Sequence, residues 1–130
     1  MAYILHLVQA DVFHSVAYGA AYLPVGFEAD GFIHCTREPD MLLRIANSFY
    51  KDRPGDFVVL LIDERKVAAP VKYEPPAPVG GRVADTAGTI LFPHIYGPLN
   101  PDAVVDVIRV LRAADGRFTG YERAWRPGER

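Results

Sequence analysis

Three histidines, His6, His34 and His94, sit inside or beside short apolar runs, ILHLV, FIHCT and FPHIY. An imidazole among large apolar neighbours is costly unless its ring nitrogens find hydrogen-bond partners. Three such rings therefore call for polar partners, and a shared cleft would supply them together. The alternative is three separately satisfied core or turn histidines. His14 falls on a predicted helix and is expected at the surface. Glu74, in VKYEP, closes a strand just before two prolines. A carboxylate fixed there would stabilise a positive charge developing on a sugar ring, or would be only a solvated strand end. Tyr96 shares a strand face with His94 and would help close or shape a pocket.

Other chemistries have weaker support. The three histidines are far apart in sequence, and there is no HxH, HExxH or CxxC pair. His34 and Cys35 are adjacent in a strand and point apart, so no metal site is expected. Cys35 in an apolar strand reads as a small core residue and not as a nucleophile. Gly80, Gly81 and Gly88 lack the strand–turn–helix frame of a phosphate cradle.

The elements that must position these groups follow from periodicity. Tyr3 to Val8 reads as a strand apolar on both faces, suited to the middle of a sheet. Asp11 offers an N-cap, and Val12, Phe13, Val16, Ala17 and Ala20 follow at helical spacing. LPVGFEAD reads as a loop and GFIHCT, 31–36, as a strand. Met41, Leu42, Ile45 and Phe49 predict a helix over 38–51. FVVLLID, 57–63, is apolar from Phe57 to Ile62 with β-branched Val58, Val59 and Ile62, the best candidate for a central strand. Further strands are expected at 71–74, 89–95 and 117–121, with a Pro/Gly-rich loop over 75–88. Asn100-Pro101-Asp102 has the form of a helix start, with Val104, Val105, Ile108 and Leu111 as its apolar face and Gly116 as its stop. This order, βαβαβββαβ, lacks regular alternation and predicts an α+β fold. A single domain over 1–121 is expected, with a loose tail at 122–130.

The bulk numbers agree. The chain has 130 residues, half of them hydrophobic, and a net charge of −2. Roughly two-thirds of the surface of a chain this long is buried on folding, enough for a core without metal or disulfides. One cysteine cannot form an internal bridge, so a reducing, cytoplasmic setting is expected. The N-terminus has no basic region of the secretory kind, and no run approaches the length of a membrane span. Six arginines face five acids in the last thirty residues, which reads as a solvated surface with no strong nucleic-acid signal. The expected partner is a small molecule, with the protein a monomer or a homodimer.

In combination, YILHLV, GFIHCT, NSFY, VVLLIDERKV, VKYE and FPHIYGPLNPDAV resemble an uncharacterised bacterial family, domain of unknown function 952, over about residues 2–120. That family's fold is similar to the ADP-ribosyltransferases and to the NAD-dependent RNA 2′-phosphotransferases. The resemblance implies a split mixed sheet flanked by about three helices, with NAD as the cofactor. It implies catalytic roles for His6, His34 and Glu74, with His6 on a ribose hydroxyl and His34 beside the nicotinamide–ribose or the transferred phosphate. Thr36, Arg37, His94 and Tyr96 join His6 and His34 as candidate cofactor-binding residues, and Arg82 is a further candidate for phosphate. The acceptor is not implied. Three functions remain open: a transferase using NAD, a catalytically silent binding module on the same cleft, and an interaction domain with structural histidines.

Overall fold

The computed structural model describes residues 3–76 and 90–123. Among the described residues seven strands form two antiparallel sheets. The larger contains β1 (Tyr3–Gln9), β3 (Phe57–Asp63), β6 (Val104–Arg112) and β7 (Phe118–Tyr121), in the order β1-β3-β6-β7. The smaller contains β2 (Ile33–His34), β4 (Val71–Glu74) and β5 (Phe92–Ile95), in the order β2-β5-β4. The fold is α+β and its sheet is split. It is not mixed, because every strand pairing among the described residues is antiparallel.

β3 is central because it can be buried on both faces, and all seven of its residues are. Val58, Leu60 and Ile62 pack with Ile4, Val8, Ile33 and Ile95 between the two sheets. Phe57, Val59 and Leu61 pack with Leu42 and Ala46 of α3 (Pro39–Phe49) on the other side. α3 starts with proline in its first turn, where a missing N–H costs nothing. β1 is the edge of its sheet and not a middle strand, although at Leu5 its outer edge meets Thr36 through two backbone bonds of 2.7 and 2.8 Å.

Two predicted helices differ. α1 (Ala10–His14) stops after five residues, with Asp11 in its first turn and His14 exposed. The FEAD stretch expected as loop makes a single helical turn, α2 (Phe27–Asp30), ended by Gly31 at φ 82°. The predicted helix after Asn100 is a 3-10 turn, Pro101–Ala103, followed by the strand β6. VVDVIRVLR carries five β-branched residues in nine, and its burial alternates at Ile108, Arg109, Val110 and Leu111. The free edge of β3 rewards that pattern with a full ladder. Gly116, at φ 95°, then turns the β6–β7 hairpin instead of stopping a helix. The 89–95 strand is seen as 92–95, while most of loop 75–88 and of the tail fall outside the described residues.

Arg112 ties this hairpin to the start of β3. Its guanidinium donates to the carbonyls of Lys51, Arg53, Gly55 and Gly116 at 2.7–3.1 Å. It also lies 4.3 Å from the centre of the Phe118 ring. Four carbonyls would lose their donor in Arg112→Ala. That substitution is expected to lower the unfolding free energy in urea by about 2–3 kcal/mol, with Arg112→Lys recovering less than half of it.

Candidate functional site

Beyond the Leu5–Thr36 bridge the two sheets part. Continued in register, the ladder would next pair Leu7 with His34 and give the His34 carbonyl to the Leu7 N–H. The His6 side chain takes that acceptor instead: its Nδ1 donates to the His34 carbonyl at 2.7 Å. Its Nε2 lies 2.8 Å from the Tyr22 hydroxyl, which donates to it. Burial pushes the His6 pKa down from 6.5 to about 4, so the ring is neutral near pH 7 with its proton on Nδ1. Tyr22 is itself held, by paired backbone bonds to Leu99 of 2.9 Å.

The strands part around a cavity of about 620 Å³, within the size range of small-molecule sites. β1 from His6 to Gln9 forms one wall, and Pro24 to Asp30 another. Ile45, Phe49 and Tyr50 of the α3 end form an apolar wall, with Arg53 beyond them. His34, Cys35 and Thr36, with Phe92 and His94 of β5, complete it. Since Leu5 bonds outward to Thr36, strand alternation turns the Leu7 N–H and C=O outward as well, along the edge that lines this cavity. Neither has a hydrogen-bond partner among the described residues.

His34 and His94 are direct cross-strand partners in the small sheet, so their side chains share one face, with ring centres 5.8 Å apart. Phe32 packs on both, stacked on His94 at 4.1 Å. Each imidazole has a carboxylate on one nitrogen. His34 Nε2 donates to Asp30 at 2.9 Å, a pair about one-third exposed on each side. His94 Nδ1 donates to Glu74 Oε1 at 2.8 Å, and the Tyr96 hydroxyl donates to the same oxygen at 2.5 Å. Those two donors hold the Glu74 carboxyl below its usual range. Burial lowers the His94 pKa, so its Nε2 carries a lone pair on a residue that lines the cavity.

The structure thus brings His6, His34, Thr36 and His94 to one cavity. Glu74 and Tyr96 stand behind His94 and do not line it, and Glu74 holds a ring in place. Arg37 is exposed and lies over the Tyr73 ring, 5.9 Å from its centre. Arg82 lies outside the described residues. Cys35 is buried, and burial raises its pKa and disfavours the thiolate while the thiol is covered. Tyr22, Asp30, Phe32 and Arg53 were not singled out from sequence. Two of them left a signal: Phe32, two residues before His34 on the same strand face, and Asp30, a carboxylate four residues before it. Among the described residues no group of three or more His, Cys, Asp or Glu is arranged to hold a metal ion. No helix among them is long and apolar enough to cross a membrane.

Residues 7–107 match the family described as Protein of unknown function (DUF952). The chain belongs to that family. His34, Glu74, His94 and Tyr96 fall within the matched stretch. A search of curated proteins finds no match. Among solved structures, the DUF952 chain is similar to protein CC0527 from Caulobacter crescentus, with TM-score 0.71, 19% identity and coverage of 91% of this chain and 94% of that one. A double mutant of CC0527 gives TM-score 0.70 at the same identity and coverage. At that identity the likeness shows a shared fold.

The His6 pKa has a consequence for stability. The folded state binds fewer protons than the unfolded state between the two pKa values, so the contribution of neutral His6 is complete above pH 6.5. It is lost as pH falls toward 4. The loss is on the order of 3 kcal/mol. Urea denaturation at pH 7, 5.5 and 4.5 is expected to show it, and His6→Gln to flatten that part of the profile relative to the wild type.

Proposed function

We propose that this DUF952 protein binds a small organic ligand that carries a planar amide or lactam edge, and that the ligand class is NAD or a related dinucleotide. The missing ladder bond at Leu7 carries the reading. A backbone N–H and C=O side by side are complementary to a group presenting one acceptor and one donor in a plane, such as a carboxamide. The apolar wall of Ile45, Phe49 and Tyr50 suits a flat ring, and Arg53 suits a phosphate. The resemblance of the histidine-bearing strands to the ADP-ribosyltransferases points to the same ligand. His6 contributes by holding the edges apart, since both its ring nitrogens are engaged inside the protein.

Binding is favoured over transfer because Glu74 is committed to His94 and Tyr96 and does not line the cavity. One observation supports catalysis as a second reading. The Glu74–His94 pair is a carboxylate-oriented imidazole, which would accept the proton of an acceptor hydroxyl at Nε2. In that case the attacking oxygen would form a bond to C1 of the ribose as nicotinamide leaves with the glycosidic electron pair.

Calorimetry with NAD and with nicotinic acid adenine dinucleotide separates these outcomes. The acid analogue has no N–H for the Leu7 carbonyl and is expected to bind about fivefold to tenfold more weakly, the worth of one hydrogen bond. Arg53→Ala should weaken both ligands. Equal affinities would refute the Leu7 contact, and no heat or thermal stabilisation at millimolar NAD would end the NAD reading. Nicotinamide release that His94→Ala abolishes with binding intact would favour the enzyme.

A further inference from the structure

One wall of the cavity is built differently from the rest. β1, β2 and α3 are fixed by ladders or by the core, whereas Pro24 to Asp30 is a connection containing the single turn α2, which buries no residue. Val25 on this wall is 88% exposed and Leu23 beside it 46%. The backbone bonds of α2 run within the segment, from Phe27 to Pro24, Asp30 to Gly26 and Gly31 to Phe27. Its ends differ in kind. Tyr22 is fixed by Leu99 and by His6, whereas Gly31 has positive φ and no atom within 4 Å of where a Cβ would stand. Gly26 supplies a second flexible point within the wall. Two contacts press the segment onto the body: the half-buried Phe27 ring against the core between the sheets, and the Asp30–His34 ion pair.

We propose that residues 23–31 form a gate that admits ligand to the cavity, turning about Gly26 and Gly31, with Asp30–His34 as its latch. The gate has little to lose on opening, since it breaks one partly exposed ion pair and lifts one aromatic ring. His34 belongs both to the latch and to the polar end of the cavity, so a ligand that engages His34 competes with Asp30 for it. Admission and recognition then act through the same imidazole. The proposal rests on the cavity being the ligand site, but opening itself can be read without ligand.

Cys35 provides the reading. It is the sole cysteine, buried, and one of the cavity-lining residues. Its thiolate attacks the sulfur of methyl methanethiosulfonate, forming a mixed disulfide and expelling methanesulfinate while the thiol proton goes to solvent. Under reagent-limited conditions the labelling rate follows the population of the open form. Asp30→Ala is expected to speed labelling about threefold, the scale of a partly exposed ion pair. His34→Ala should do the same, and the double variant should be no faster than either single one. Asn47→Ala serves as a control, since it breaks the 2.7 and 2.9 Å bonds between Asn47 and Phe118 on the far face of the large sheet. If Asp30→Ala leaves the rate unchanged, the latch is refuted. If Asn47→Ala accelerates labelling as much for the same loss of global stability, the thiol is reached by general unfolding and the gate is refuted. Either failure leaves NAD calorimetry unaffected, so the gate and the ligand reading are tested separately.

Discussion

The hydrogen bond from His6 Nδ1 to the His34 carbonyl decides the shape of the site. It occupies the acceptor that a β1–β2 ladder continued past Leu5 would give to Leu7, at the point where the two sheets part. A side-chain donor in the place of the Leu7 N–H costs the fold the backbone pair between Leu7 and His34 and leaves an amide edge facing a cavity. The arrangement holds only while the ring is neutral, because Nε2 must accept from Tyr22 as Nδ1 donates. Burial keeps it neutral. The same desolvation that makes a buried imidazole expensive thus keeps it neutral, and the His34 carbonyl, which can only accept, fixes its proton on Nδ1 and makes it a dependable spacer.

On the other side of the cleft the small sheet presents a polar, aromatic face. His34 and His94 face each other across β2 and β5, and each is oriented by a carboxylate from a different neighbour, Asp30 before β2 and Glu74 on β4. Glu74 receives two donors on one oxygen and sits on a short strand whose other face helps cover the core. Its contribution is therefore rigidity at His94. Asp30 sits on a single helical turn with little beneath it, and its contribution to His34 is correspondingly easy to withdraw. α3 serves both compartments: Leu42 and Ala46 close the core under the large sheet, while Ile45 and Phe49 turn toward the cavity.

The parts legible in the sequence were those whose pattern matched a single environment. FVVLLID reads as a buried strand because its first six residues are all apolar and three of them are β-branched, and both its faces are in fact covered. The α3 stripe and the short strands at 71–74 and 117–121 carried similarly direct signals. Asn100-Pro101-Asp102 misled because its start signal was spent on one 3-10 turn, while the residues after it suit a helix face and a strand equally by spacing. Period alone cannot separate these when apolar residues are frequent. The open edge of β3 made the choice.

Residue type and local pattern, on their own, determined an α+β chain with a β3-like centre, and they drew attention to three histidines that had to be satisfied. They could say that each imidazole needs partners because desolvation is a property of the residue and its immediate neighbours. They could not say which partners. That His6 displaces a ladder bond, that Glu74 holds His94 instead of lining the cavity, and that Tyr22, Asp30 and Arg53 belong near the site were decided by tertiary structure. Each of these depends on which strand edges meet and where they part, and register between distant segments is set by the whole core and not by any one stretch of chain.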